Sequence, residues 1–392
     1  MTTAVQDFDE GTVERVLRPL LETPSEQTDL FEDDPQIRAF LQTVVAPQLE
    51  QLGLPTTIDA AGNLIAEIGG GDAPGLVLFC YAMTHPAGRM VDPFTASRIV
   101  GADGATRLRG RGASEQMGAL AAAVLTAGTL AERAADLAGP LVLCVSPAGE
   151  TGRHDTARSF LAGYEGRRAP AACVVGIGTD NAICVANKGR VDATIKVAGL
   201  AGHSSMPWRT KNAIEGARLV LRCLDGIALA GDHPHLGRPT LTPTAVHSSP
   251  NATHTVPDLV EVTVDRRLLP GDDPEVALAD IRRAVEEIDG WDIDVEPGPL
   301  MYPSEVAPDS PFVDILRAAF AAAGHPDPPL TYSHGCIDAG LFSSRGIPAV
   351  MLGAGEQEMW HTIDESVALD AVALSAQVYT AVALDLLTRP TS

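Results

Sequence analysis

Cations, paired cysteines and long apolar runs are what this sequence is short of. Lysine and arginine number 28 against 51 aspartates and glutamates in 392 residues, a formal charge of −23. Nucleic acids are held by clustered Lys and Arg, so no nucleic-acid partner is expected. An anionic small molecule stays open, because one local arginine can outweigh the global field. The six cysteines (Cys80, Cys144, Cys173, Cys184, Cys223, Cys336) are far apart and form no CxxC pair. That spacing argues against a disulfide scaffold and for reduced thiols in a cytoplasmic protein. No run of eighteen apolar residues occurs, and the opening stretch "MTTAVQDFDEGTVERV" has neither a basic nor an apolar region. Neither membrane insertion nor export is expected.

What is present is the composition of a globular protein, 45% hydrophobic and 20% charged, at a length that favours two domains. Residues 9–52 carry apolar spacings of three and four, the helical period. "NLIAEIGG", "GLVLFCYA", "GPLVLCVSPAGETG" and "ACVVGIGTDNAICVANKG" read as short strands. They alternate with helices such as "MGALAAAVLTAGTLAERAADL", the pattern of a three-layer α/β domain with a largely parallel sheet. Near residue 189 the texture changes. "GRVDATIKVAGLAGHSSMP" and "VPDLVEVTVDRRLLP" alternate apolar and polar residues, with helical stretches between and after them. This β-α-β-β-α-β order suits a small α+β module. The parallel-sheet texture then returns through "PLTYSHGC", "GIPAVMLGAG" and a closing helix. The expected organisation is a main α/β domain in two parts, 1–188 and 301–392, around an inserted domain at 189–300.

The string "LRGRGASEQMGALAAAV" (108–124) resembles the strand-turn-helix element of the M20 metallopeptidase family, the family of aminoacylases, acetylornithine deacetylase and succinyl-diaminopimelate desuccinylase. Six further strings agree in order: "YAMTHPAG", "SPAGETG", "KGRVDATIKVAGLAGHSSMP", "VPDLVEVTVDRRLLPG", "HGCIDAG" and "GIPAVMLGAGEQEMWHTIDESV". The resemblance covers essentially the whole chain. It implies a zinc-peptidase-like α/β main domain with an inserted, ferredoxin-like lid and dimerisation domain.

It also implies two zinc ions bridged by an aspartate, with a glutamate deprotonating the bridging water. Carried over position by position, that machinery is largely replaced. Tyr81 stands where the first histidine ligand belongs, and Met83 where its supporting aspartate belongs. Glu115 takes the bridging position, Gly149 that of the general base, and Ile177 that of a carboxylate ligand. Glu150 and His361 keep the types of the remaining two ligands. The expectation is no catalytic metal; the alternative is one zinc ion held by Glu115, Glu150 and His361, with Tyr81 as a weak fourth ligand. Register shifts could instead bring Asp180 or His85 into the site as substitutes.

Without zinc, Glu115 and Glu150 would face each other, and two close carboxylates do not both ionise cheaply. His361 and the Tyr81 phenol would complete an acid/base set. The alternative is a relic cluster of hydrogen-bonded core residues. In the lid, the resemblance gives His203 the role of stabilising an oxyanion in the partner protomer's cleft, and Arg267 that of gripping a substrate carboxylate. His254 and Asn251 stand near a position where the family often has Asn, and "SHGCIDAG" matches a substrate loop with Gly335 and Cys336. Cys336 reads as a packed small residue before a nucleophile.

Three functions follow: an enzyme using side-chain acid/base chemistry on an amide or C–N bond of a small amino-acid- or peptide-derived carboxylate; a one-metal amidohydrolase; or a ligand-binding protein without catalysis. The first is preferred, as a homodimer joined through the lid and serving a specialised biosynthetic pathway.

Overall fold

The computed structural model describes residues 6–149, 151–164, 167 and 169–388. The chain divides into two compact units: residues 1–186, 305–331 and 341–392, and residues 187–304 with 332–340. The second unit takes in 332–340, the "YSHGCIDAG" segment, outside the 189–300 expected for the inserted domain.

The first unit is built on a nine-stranded sheet. Its strands run in the order Thr56–Ile58, Leu64–Ile68, Leu141–Ser146, Leu76–Tyr81, Ala172–Gly176, Ala349–Leu352, Ile183–Asn187, with Ser304–Glu305 and Leu330–Ser333 beside the last. Leu76–Tyr81 pairs in parallel with both Leu141–Ser146 and Ala172–Gly176, and Ala349–Leu352 continues the parallel set. These central strands are buried on both faces, which is why they read as unbroken apolar runs. A smaller antiparallel sheet joins Ser97–Val100, Thr106–Arg109 and Ser366–Ala368.

The helices Gly118–Ala131 and Leu369–Leu387 pack together in the core, tied by Thr126 Oγ1 donating to the Ala376 carbonyl at 3.1 Å. Both are apolar nearly all round, as buried helices are. Leu369–Leu387 is the one described helix long and apolar enough to cross a membrane, and it is mostly buried inside this unit. Within the helical period of residues 9–52, the helix that starts at Pro35 is interrupted by a π turn at Leu41–Val45.

The second unit follows the order Gly189–Ala198, Ala213–Leu224, Thr240–Ser249, Leu259–Leu268, Pro274–Glu286, Asp292–Met301: strand, helix, two strands, helix, strand. Its antiparallel sheet runs Thr240–Ser249, Leu259–Leu268, Gly189–Ala198, Asp292–Met301. Val191, Ala193, Ile195 and Val197 alternate with polar residues, as do Val260, Val262 and Val264. The apolar set packs under the two helices, and the polar set forms the other face.

Candidate active site

The C-terminal ends of the parallel strands carry the loops that matter, as is general for open α/β sheets. Glu115 sits in a π turn, Ala113–Met117, entered through Gly112 at φ +77° and continuing into Gly118–Ala131. Such turns re-aim side chains out of the regular helical ladder. Gly112 is required here for two reasons: the left-handed backbone, and the 2.4 Å that a Cβ would leave to Thr84 Cγ2. Glu115 is 6% exposed. The imidazole of His361 donates from Nε2 to Glu115 Oε2 at 2.9 Å. His361 itself holds a φ of +60°, a conformation that non-glycine residues adopt only when their surroundings impose it.

Glu365, four residues on, ties the His361 loop to the Glu115 turn. Its buried carboxylate accepts from the backbone N–H of Gly112 (3.0 Å), Ser114 (3.1 Å) and Glu115 (3.1 Å), and from Arg111 Nη1 (2.8 Å). Burial pushes the Glu365 carboxyl above the ordinary carboxylate range despite these donors. Arg111 also donates to the Ala87 carbonyl at 3.2 Å. One buried ion pair therefore joins the Glu115 turn, the His361 loop and the loop after Leu76–Tyr81. Sequence reasoning missed both members, although "RGRG" and "HTIDE" held them.

The loop after Leu76–Tyr81, the second to bear an imidazole, is also fixed. Thr84 N–H donates to the Ser25 carbonyl at 2.9 Å, and Gln27 N–H to the Thr84 carbonyl at 2.8 Å. His85 follows, and its ring stacks on that of His361 with centroids 4.0 Å apart and planes 20° from parallel. His85 is thus at the site without any shift of register. Asp180 is not brought in the same way: it is exposed, and its charged neighbours are Glu356 and Arg107. Partial desolvation and the nearby Glu356 raise its carboxyl.

Three replaced positions fill space as packed groups. Tyr81 is 2% exposed with its ring edge-on to Phe79, Met83 is 0% exposed and Ile177 is 3% exposed. At Gly149 a Cβ would lie 2.4 Å from the Met83 carbonyl oxygen, so the backbone has closed over the position where a base would project. Glu150 lies outside the described residues. A phenol, a thioether and an isoleucine side chain do not fit the donor set of a two-ion centre. Among the described residues no group of three His, Cys, Asp or Glu is arranged to hold an ion.

The lid residues all fall in the second unit. His203 ends the short strand Gly202–His203; its Nδ1 accepts from Ser205 N–H at 3.2 Å and lies 2.8 Å from Ser205 Oγ. In the neutral ring this leaves the proton on Nε2, a donor. His254 is its neighbour, with ring centroids 6.0 Å apart. Asn251 is exposed on the same loop. The fork of Arg267 is not open: it donates to both oxygens of Asp265, at 2.8 and 3.0 Å. Across the strands Arg267 faces Arg190 and Asp265 faces Asp192. Arg190 pairs with Asp192 and lies 3.4 Å from Asp265. This neutral square of charges went unread because its members come from two distant strings. Cys336 lies beside Arg190 and Arg267, yet burial outweighs both guanidiniums and pushes its thiol up, which disfavours a nucleophilic thiolate. Gly335 N–H donates to Ser333 Oγ at 3.1 Å.

A parallel-centred α/β unit with strand-end carboxylate and imidazole, and a separate ferredoxin-like unit, define a peptidase-type hydrolase fold. The chain belongs to peptidase family M20/M25/M40, whose model matches residues 84–385. It is similar to the succinyl-diaminopimelate desuccinylase of Rhodospirillum centenum, 29% identical over 327 residues, which span 80% of this chain and 82% of that one. Among solved structures it resembles an M20 family metallo-carboxypeptidase from Sulfolobus solfataricus, with TM-score 0.74 and 16% identity over 96% of this chain and 98% of that one. Aminopeptidase PepT from Bacillus cereus gives TM-score 0.71 at 19% identity, over 98% of this chain and all of that one.

Proposed function

We propose that this chain is an M20-fold enzyme that acts on an amide or C–N bond of a small, carboxylate-bearing amino-acid or peptide derivative, using side-chain acid/base chemistry in place of a two-zinc centre. The observation that supports it is the Glu115–His361 pair, 2.9 Å apart and held by Glu365, beside ligand positions occupied by Tyr81 and Ile177. A buried carboxylate that accepts from an imidazole fixes its tautomer and supports its charged form. In this reading His361 moves a proton at the reacting bond, Glu115 orients and stabilises it, and Glu150 is the second carboxylate of the set. Tyr81 is assigned as a further proton donor at the same end of the sheet.

His203, with its donor on Nε2, would serve the oxyanion of the other protomer's cleft, which requires a homodimer joined through the second unit. Arg267 would exchange Asp265 for the substrate carboxylate, with His254, Asn251, Gly335 and Cys336 shaping the surrounding pocket. The succinyl-diaminopimelate desuccinylases set the first panel to assay: N-succinyl and N-acetyl amino acids, followed in both the hydrolytic and the bond-forming direction. Glu115→Gln and His361→Ala should each abolish turnover while leaving the circular dichroism spectrum unchanged. Turnover undiminished in both would refute the assignment. The second reading, a single zinc ion on Glu115, Glu150 and His361, is favoured by the closeness of two of those donors, and chelation separates it from the first.

A further inference from the structure

We propose that His85 is a substrate-contacting residue of this cleft, its Nε2 serving as a fixed acceptor for the N–H of an amide or amine on the substrate. The inference rests on the acid/base reading of the same site and adds a residue for which the two-zinc scheme has no position.

Four observations carry it. First, the ring's tautomer is set locally: Nδ1 lies 2.9 Å from the Pro86 carbonyl oxygen. A carbonyl only accepts, so Nδ1 carries the proton and, in the neutral ring, Nε2 carries the lone pair. Second, among the described residues Nε2 has no hydrogen-bond partner, and the side chain is half-buried, so the lone pair is both unspent and reachable. Third, the backbone that carries the ring is held on both sides. Ala87 N–H donates to Glu26 at 2.5 Å and Arg111 donates to the Ala87 carbonyl at 3.2 Å, while Thr84 is bonded on both sides to the Ser25–Gln27 segment. A pre-placed acceptor costs little ordering entropy on binding. Fourth, His85 stacks on His361 at 4.0 Å. A substrate proton held at His85 Nε2 is therefore about one ring-stack from the imidazole that Glu115 orients.

The two histidines consequently play opposite parts. His361 presents a donor from Nε2 to Glu115, whereas His85 presents an acceptor from Nε2. An amide has both kinds of group, a carbonyl and an N–H, within one bond of each other, so an acceptor beside an acid/base imidazole selects for it. An ester or an N-methylated amide lacks the N–H and would leave the His85 lone pair facing nothing, a penalty typical of sites built around a hydrogen bond.

The test needs no known substrate. Diethyl pyrocarbonate, a small carbonyl electrophile, is added to the intact protein near neutral pH, and modification at each histidine is followed by peptide mass spectrometry. An available Nε2 lone pair attacks the reagent carbonyl; ethyl carbonate leaves and breaks down to carbon dioxide and ethanol. With its Nε2 lone pair unspent and its side chain half-buried, His85 should be modified by the reagent. Nitrogen-15 spectra of histidine-labelled protein should show His85 protonated at Nδ1, and the His85→Gln variant should lose that signal alone. No reaction at His85, or a His85 ring protonated at Nε2, would each overturn the proposal. None of these outcomes bears on whether Glu115→Gln and His361→Ala abolish turnover, so the two claims fail separately.

Discussion

Removing the Glu365 carboxylate should loosen the site before it unfolds the unit. Glu365 accepts from Arg111 and from three consecutive-turn amides of Gly112, Ser114 and Glu115. Arg111 and Glu365 side chains are only 2% and 1% exposed. Glu365→Ala leaves a buried guanidinium without its counter-charge, and its Nη1 and three amide donors without an acceptor. Each abandoned neutral donor costs about 1–3 kcal/mol, and breaking a buried pair by removing one partner costs about 3–5 kcal/mol. Water entering the vacated space satisfies part of this, so the expected loss is about 4 kcal/mol rather than the sum.

The assay is native-state hydrogen exchange at the amides of Gly112, Ser114 and Glu115, alongside a urea melt. All three amides should lose protection in the variant, and the urea midpoint should fall. A second change, Arg111→Met, should recover part of the loss by removing the unpaired cation. A loss under about 1 kcal/mol, or amides as protected as before, would refute the bracing role. The pH dependence has a defined sign. Burial raises the Glu365 carboxyl above its usual 4.5, so the folded chain keeps that proton to higher pH than the unfolded chain. The stability linked to it is complete below about 4.5 and is lost as pH rises through the folded value.

Two further outcomes follow from packing. Restoring a glutamate by Gly149→Glu should not create a base: a Cβ 2.4 Å from the Met83 carbonyl oxygen forces the backbone apart, a cost of about 1–3 kcal/mol visible as a lowered urea midpoint; an unchanged midpoint would contradict this. Thiol titration of the folded protein at mildly alkaline pH should reach Cys223 first, Cys336 more slowly because burial pushes its thiol up, and spare Cys80, Cys144, Cys173 and Cys184, which are buried. Cys80 is the clearest case, its thiol pushed up to about 12 by burial; rapid labelling of Cys80 would show the central strands to be more open than described.

The architecture was legible because it is written in local periods. Unbroken apolar strings marked the central parallel strands, and strict alternation marked the sheet of the second unit, whose strand and helix order could be read off directly. The site was legible only where a single string carried its chemistry. Glu115 and His361 lay inside "RGASEQ" and "HTIDE", and the structure brings them to 2.9 Å. The Arg111–Glu365 brace spans 254 residues of sequence, and no local pattern reports a pairing at that distance. The same holds for the square of Arg190, Asp192, Asp265 and Arg267, which exists only because two strands align in register. His85 was visible as a residue, but its tautomer and its stacking are consequences of backbone geometry. Segment 332–340 was misplaced for a related reason: its strand texture belongs to the main sheet, while its loop groups with the second unit.

The central claim is that side chains have replaced the two-ion centre. The direct measurement is elemental analysis of protein purified without added metal, with turnover of the N-acyl amino-acid panel before and after exhaustive chelation. The expected result is zinc well below about one ion per chain and turnover indifferent to the chelator. About one or two zinc ions per chain, with turnover abolished by chelation and restored by zinc, would contradict it.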